Sequence, residues 1–460
     1  MRDVILTVFV FGMIPVMLRH PYIGALMWAW ISMMNPHRLT FGFAYSFPFA
    51  AIIAGVTLLS AALSRKRLPF PWTPVSALFV LFMIWMTITS VFAMGPYSDV
   101  FDTWLRVFKI HIMLLLTLML VRGQEHMRQL IWVIVLSIGF FGVKGGIWTV
   151  LTGGGQRVWG PPGGVIEGNN ELALALVMII PLMYYLMTTV KKKLVRNGLI
   201  FAMICCSFAV LGSHSRGAFL AIVAAAAMLS LKSRRPVLLG VLGGAGLFAM
   251  FMFMPAHWWS RMHTLEGSPE TLDSSAVSRL HTWQTLWNMA LDHPIVGAGF
   301  ETTLPEIFRQ YAPVQGMLAY SPHSIYFQAL GEHGFVGFFI YLALIVVTWR
   351  SASRLARVCL QTPGFEWGSG LMRMIQVSLI GFLVGGAFLN LLHFDMPYYL
   401  MGLVVMLEAT LKDHVRDNPP QKSAWGSSAR FAQPPPPPRP AVDLRQRAAP
   451  PPRSSTGRSR

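Results

Sequence analysis

Long apolar stretches alternate with short polar ones along most of the chain. Eleven such stretches lie at 45–64, 73–94, 104–122, 128–149, 171–189, 197–213, 217–231, 236–254, 324–349, 373–391 and 397–411. Most have roughly the 17–25 residues that a helix needs to cross a bilayer. Their apolar residues are continuous rather than alternating, which favours helices over a transmembrane barrel. The pattern predicts an all-α, polytopic membrane protein.

The N-terminal block 3–35 is also apolar, but Arg19, His20 and Pro21 interrupt it. It forms either one broken span or two short ones. One broken span gives about 12 transmembrane helices with both termini on the same side, whereas two spans give thirteen. We favour twelve.

Basic residues mark every second gap between the predicted helices. They lie at 65–67, 122–128, 191–193 and 232–235, and the positive-inside bias places these gaps in the cytoplasm of a bacterial inner membrane. The opposite, periplasmic side then receives the loops 150–170, 213–216 and 255–322. The predicted organisation is N-terminal transmembrane helices (1–254), a long periplasmic loop (255–322), C-terminal transmembrane helices (323–412) and a tail (413–460).

Composition supports this interpretation. The chain is 54% hydrophobic and only 12% charged, with a net charge of +18, where soluble domains carry about 25% charged residues. The tail contains the proline run 434–438 and few apolar residues, so we expect it to be disordered. Short basic loops explain the rest of the charge, and we expect membrane lipids and no nucleic acid as partners. Cys205, Cys206 and Cys359 show neither disulfide nor metal spacing.

The long loop contains one amphipathic segment. Residues 275–293 place Ala276, Leu280, Trp283, Trp287 and Ala290 at helical spacing, and Pro294 follows the end of this pattern. We expect a helix whose apolar stripe packs on the membrane domain or lies in the interface.

Three polar residues are predicted at helix starts on the periplasmic side. Arg216 opens the span 217–231, Arg279 falls in the first turn of the amphipathic helix, and His323 opens the span 324–349. Helix N-termini favour anions, arginine forks fit phosphate groups, and an imidazole can act as a general base. Together they suggest a pocket for a phosphorylated, membrane-borne substrate. Individually, Arg216 also suits a membrane anchor, Arg279 a solvated face and His323 an ordinary loop.

Three segments containing these residues closely resemble blocks of the O-antigen ligase/polymerase superfamily. They are SHSRGAFLAIV (213–223), RLHTWQTLWNMALDHPIVGAGF (279–300) and SPHSIYFQALGEHGFVG (321–337). The N-terminal segments MRDVILTVFVFGMIP and NPHRLTFGFAYSFPFA resemble the subgroup of O-glycosylation ligases associated with exosortase systems. The resemblance covers nearly the whole chain except the tail.

This resemblance implies an inner-membrane glycosyltransferase with a periplasmic active site. The donor would be a glycan linked to undecaprenyl diphosphate, and the acceptor a sugar hydroxyl of the lipid A core. Arg216 and Arg279 would bind the diphosphate and His323 would be the catalytic residue that receives the acceptor proton, in one inverting displacement. We expect no cofactor and no metal, because no Asp-x-Asp pair lies in a predicted periplasmic loop and the family needs none.

Other polar residues are weaker candidates. Lys144, near the periplasmic end of its span, is a candidate diphosphate contact. Possible substrate contacts are Arg157, Glu167, Asn169, His214, His281, Arg309 and Tyr311, although a plain turn explains the polar loop 150–170 equally well. His393 and Asp395 fall in a short turn that is predicted on the same side.

Two alternatives remain at this point. An O-antigen polymerase or a protein O-glycan ligase would use the same donor with another acceptor. A transporter for the lipid-linked glycan would place its cations deep within the spans, whereas the candidate cations here gather at one face. The clustering favours an enzyme.

Overall fold

The computed structural model describes residues 1–64, 69–232, 236–252, 274–314, 316 and 318–418. The helices of these residues are α1 Arg2–Arg19, α2 Pro21–Met34, α3 Phe49–Leu63, α4 Pro74–Val91, α5 Tyr97–Leu120, α6 Gly123–Leu151, α7 Asn169–Thr189, α8 Lys193–Gly212, α9 Arg216–Lys232, α10 Pro236–Met252, α11 Ser274–Asp292, α12 Pro305–Tyr311, α13 Ile325–Gln361, α14 Glu366–Gly386 and α15 Asp395–Asp417. The described ranges contain no strand, so the all-α prediction is confirmed.

Seven helices of the described part are long and apolar enough to cross a membrane: α4, α5, α6, α7, α8, α13 and α14. The chain is therefore a multi-pass membrane protein, and the total of twelve stays a prediction. The N-terminal block forms two helices that break at His20. With 14 residues, α2 extends only about 21 Å at 1.5 Å per residue. The predicted tail lies outside the described residues from 419 onwards.

Helix α7 lies at the centre of the core. Every residue from Leu172 to Ile179 is buried, since α7 packs against α14, α8 and α6. Small residues let these helices approach closely. A Cβ on Gly146 of α6 would lie 2.0 Å from the Cys205 carbonyl oxygen of α8. All three cysteines are buried with free thiols.

Basic residues in or beside the predicted cytoplasmic gaps contact other such segments in two places. Arg122 donates a 2.8 Å hydrogen bond to the Pro69 carbonyl and lies 3.5 Å from Asp413, and Arg373 donates to the Lys232 carbonyl. Each contact therefore joins chain segments that the sequence predicts on the same side of the membrane. One compact unit covers Met1–Asp413, and a second begins at His414.

Helix α13 contains a break at Gly334, whose backbone is non-helical at φ 67°. The segment after α11 closes this break. The Ala298 and Gly299 amides donate to the Gly331 and Glu332 carbonyls at 2.8 and 2.9 Å. A Cβ on Gly297 (φ 65°) would lie 2.5 Å from the Gly334 nitrogen. The PIVGAG sequence is therefore a backbone clamp that joins α11 to α13.

Candidate functional site

The turn 213–216 positions the first arginine. The Ser215 hydroxyl accepts a hydrogen bond from the Ala218 amide at 3.2 Å, so Ser215 caps α9. The Ser213 hydroxyl in turn accepts the Ser215 amide at 3.2 Å. Arg216 is the first residue of α9, as predicted, and its backbone stands among the free amides of a helix start.

The loop 152–168 packs against this turn. His214 adopts φ 57°, and its Nε2 lies 2.8 Å from the Gly154 carbonyl oxygen, to which it donates. The Asn169 side-chain amide donates to the Ser213 carbonyl at 2.6 Å. The Val158 amide donates to the Gly212 carbonyl at 3.1 Å. These bonds hold Arg157 at the start of α9.

Helix α11 supplies the second arginine, although not from its first turn. The helix begins at Ser274, so Arg279 lies in the second turn and contributes its guanidinium without the free amides of a helix start. The buried face also differs from the predicted stripe. Ala290 of the predicted stripe is buried, but Leu280 is 52% and Trp287 44% exposed, and Leu286 and Met289 are buried in their place. The sequence-based prediction of the buried stripe used apolar residues only and left out the threonines.

Threonines explain the rotation of this face. Thr282 and Thr285 are buried, and each hydroxyl donates to the carbonyl four residues earlier, of Ser278 and His281. A threonine bonded in this way packs as an apolar residue. Trp283 fixes the helix on α13 by stacking on Phe327 at 5.2 Å.

These elements enclose one small polar cavity of about 90 Å³. Its lining consists of Arg157, Asn169, Asn170, His214, Ser215, Arg216, Gly217, Arg279, Phe388 and Leu389. The volume is about three times the ~30 Å³ share of a water molecule, which fits a small anionic group rather than a whole glycan. The three arginines offer only donors, and each of the two asparagine side chains adds an amide donor and a carbonyl acceptor.

His323 lies beside this cavity, just outside α13. The helix begins at Ile325 with Ser324 as its N-cap, so His323 precedes the helix and does not open it as predicted. Its backbone is left-handed at φ 44°. Partial burial lowers the pKa of His323, and the positive charge of Arg279 lowers it further. Within the described residues its buried Nδ1 has no hydrogen-bond partner.

Five predicted contacts lie away from the cavity lining. The Glu167 carboxylate accepts the Gly163 amide at 2.8 Å within its own loop, and His281 is not among the lining residues. Arg309 is exposed on α12. The Tyr311 hydroxyl donates to the Asp292 carboxylate at 2.9 Å. Lys144 lines a different, apolar cavity between α6 and α8.

Several residues around the cavity were not predicted from the sequence. Phe388 and Leu389, from the turn after α14, close the cavity, and a Cβ on Gly217 would lie 3.1 Å from the Phe388 side chain. Glu171, in the first turn of α7, interacts electrostatically with Arg279. The position of Glu171 two residues after Asn169 is the signal that could have identified it.

Comparison with known proteins finds two families that match the chain. Residues 201–342 match the family described as O-Antigen ligase. The chain belongs to the O-antigen ligase superfamily. Residues 1–191 match a second family, which is described as one of unknown function. No curated protein matches the chain.

Membership in the O-antigen ligase superfamily makes the chain a membrane glycosyltransferase-like protein of the O-antigen ligase/polymerase type. The residues of the cavity come from three regions. Arg216 and Arg279 lie within the O-antigen ligase segment, Arg157 and Asn169 within the N-terminal family segment, and Phe388 beyond both. The cavity therefore joins the two matched segments.

Proposed function

We propose that this protein transfers a glycan from undecaprenyl diphosphate to a sugar hydroxyl of the lipid A core, on the periplasmic face of a bacterial inner membrane. The observation that carries the proposal is the convergence of Arg157, Arg216 and Arg279 on one small polar cavity beside His323. The family segment that contains three of these four residues supports the reaction class.

The donor diphosphate is assigned to the arginine cavity. A diphosphate at a membrane surface carries concentrated negative charge and many acceptor oxygens, which guanidinium groups bind bidentately. Arg216 adds the amides of a helix start. As the glycosidic bond breaks, the charge on the leaving diphosphate grows, and fixed cations that already point at it stabilise the transition state.

His323 is assigned as the general base. A histidine with a lowered pKa is neutral near pH 7, and so it is ready to accept the proton of an acceptor hydroxyl. The hydroxyl oxygen then attacks the anomeric carbon while undecaprenyl diphosphate leaves from the opposite face. One displacement inverts the anomeric centre. The diphosphate is a competent leaving group, so the step needs neither a general acid nor a metal ion.

The assigned residues define the donor site more closely than the acceptor site. The same donor site and base would serve an O-antigen polymerase or a protein O-glycan ligase, because both also deliver a hydroxyl to the anomeric carbon. The N-terminal segments resemble O-glycosylation ligases, which supports a protein hydroxyl as an alternative acceptor. A transporter for the lipid-linked glycan has less support, since the cations gather at one end of the helices rather than along them.

The test uses full-length protein in detergent with an undecaprenyl-diphosphate glycan and EDTA. Lipid A core, a second donor molecule and a serine-containing acceptor protein are offered in separate reactions. Wild type is compared with His323→Ala and Arg216→Ala, and with Arg106→Ala as a control at an exposed arginine of α5.

Transfer to lipid A that persists in EDTA, and that both site variants lose while the control keeps it, supports the proposal. Elongation of the donor glycan alone identifies a polymerase, and labelling of the protein alone identifies a protein ligase. Donor movement across liposomes without any transfer identifies a transporter. Full transfer by His323→Ala would show that another group removes the proton.

A further inference from the structure

A second cluster of ionisable residues lies away from the arginine cavity. Glu332 and His333, on α13, meet His393 from the turn before α15. One ligand atom of each residue lies within 4.8 Å of the others. Glu332 is 6% exposed and His333 0%. Glu332 and His333 are seven and eight residues along α13 from its start at Ile325, about 10 to 12 Å at 1.5 Å per residue, so the cluster is separate from the proposed base.

Both imidazoles converge on the same carboxylate oxygen. His393 Nε2 lies 2.8 Å from Glu332 Oε2 and donates to it. His333 Nε2 lies 3.7 Å from that oxygen, which is too far for a hydrogen bond. Among the described residues His333 Nε2 has no hydrogen-bond partner, although it is fully buried. It is a buried polar atom that points into the cluster.

The surroundings assign the tautomer of His333. The Thr89 hydroxyl donates to the Met86 carbonyl at 3.0 Å, so at 2.8 Å from His333 Nδ1 it accepts the Nδ1 proton. The neutral ring then presents the lone pair of Nε2 to the Glu332 carboxylate. His333 Nε2 and the Glu332 oxygen are then two acceptors 3.7 Å apart in a buried site, and they repel each other. A cation between them turns this repulsion into attraction.

The donors have the features of a metal site. Two imidazoles and one carboxylate form a set of three protein ligands that zinc uses with water in the fourth position. Tetrahedral ligands at zinc lie roughly 3.3 Å apart, between the 2.8 Å of His393 and the 3.7 Å of His333 from the Glu332 oxygen. Hydrogen bonds that orient two of these ligands are also present. Thr89 orients His333, and the Gln328 side-chain amide donates to Glu332 Oε1 at 3.0 Å.

We propose that Glu332, His333 and His393 bind one Zn²⁺ ion. The ion would tie α13 next to its break at Gly334 to the turn before α15, and through Thr89 to α4. The glycosyl transfer step proposed above does not use it, so the two proposals fail independently.

The experiment measures zinc directly on the full-length protein in detergent, purified through a tag that contains no histidine. The protein is dialysed against ZnCl2 and then against buffer, and its metal content is measured by mass spectrometry. Wild type is compared with Glu332→Gln and His393→Gln. His126→Gln is the matched control, because its ring stacks on Tyr22 at 3.9 Å and its buried Nδ1 also has no hydrogen-bond partner in the described residues.

We expect about one zinc per chain in wild type and in the control, and less than a tenth of that in both cluster variants. Zinc should raise Tm in wild type and in the control but not in the cluster variants, since a ligand that binds the folded state stabilises it. Cobalt in place of zinc should give the visible absorption of a tetrahedral site in wild type. If one cluster variant does not fold, the other gives the comparison. Wild type that retains no zinc, or cluster variants that retain one equivalent, would overturn the proposal.

Discussion

Trp283 Nε1 donates a 2.9 Å hydrogen bond to the Pro322 carbonyl oxygen. This bond links the helix that carries Arg279 to the segment that carries His323, one residue after Pro322. The same indole stacks on Phe327 at an interplanar angle of 8°. The proposed base and one of the proposed diphosphate ligands are therefore fixed relative to each other by a single side chain.

Trp283→Phe tests this link. Phenylalanine keeps the stacking on Phe327 but removes the N–H donor and leaves the Pro322 carbonyl without its partner, which should lower the free energy of unfolding by about 1 kcal/mol. We expect kcat/KM for transfer to fall about tenfold, because small misplacements of a base are costly. Trp287→Phe is the control, since Trp287 is 44% exposed and touches Phe335 by an edge contact. Equal losses in the two variants would contradict the link.

Lysine substitutions test the geometry of the arginine cavity. Arg216→Lys and Arg279→Lys keep the positive charge but lose the planar fork that binds two phosphate oxygens together. Each should weaken binding of undecaprenyl diphosphate about tenfold, or about 1.4 kcal/mol. The measurement is a titration of each variant with the lipid diphosphate, with Arg106→Lys as the control. Unchanged affinity in both site variants would mean that charge alone binds the donor.

The pH dependence of transfer tests His323. Its pKa is lowered from 6.5 by burial first and by Arg279 second. A general base must be neutral, so activity should be present at pH 7 and be lost as pH falls through a value below 6.5. Arg279→Gln removes the neighbouring charge and should move this acid limb of kcat/KM upward, towards 6.5. An acid limb above 6.5 in wild type, or one that Arg279→Gln leaves in place, would argue against His323.

Gly334→Ala tests the clamp on α13. At φ 67° and ψ −174°, in a region that essentially only glycine adopts, an alanine costs about 1–3 kcal/mol, and its Cβ would also lie 2.4 Å from the Ile295 carbonyl oxygen. We expect a loss of about 3 kcal/mol or more in the free energy of unfolding, measured with denaturant in detergent. Gly364→Ala is the matched control, because Gly364 has φ 80° with nothing within 4 Å of its Cβ position. Its loss should be limited to the backbone cost.

The sequence predicts local features well and long-range ones poorly. Arg216 was placed correctly at a helix start because the serine cap and the apolar run are adjacent in the chain. The break at Gly334 escaped prediction, since apolar periodicity continues through it and the segment at 294–299 that stabilises it is 35 or more residues away. Glu332 and His393 are 61 residues apart, and no local pattern indicates that they meet.

Lys144 was predicted to contact the diphosphate from its charge, but the structure places it in another cavity. The sequence suggests a diphosphate contact, but Lys144 lines an apolar cavity of about 880 Å³ together with Leu136, Phe140 and Trp148. Among the described residues that line this cavity, Lys144 alone is charged, and it is absent from the arginine cavity.

We therefore expect Lys144→Met to leave the affinity for undecaprenyl diphosphate within twofold of wild type, whereas Arg157→Met should weaken it about tenfold. Both substitutions replace a long cation with the same apolar side chain, so the difference reports which cavity receives the anion. A tenfold loss in Lys144→Met would instead mean that the diphosphate reaches the apolar cavity and that the arginine cavity is not its only contact.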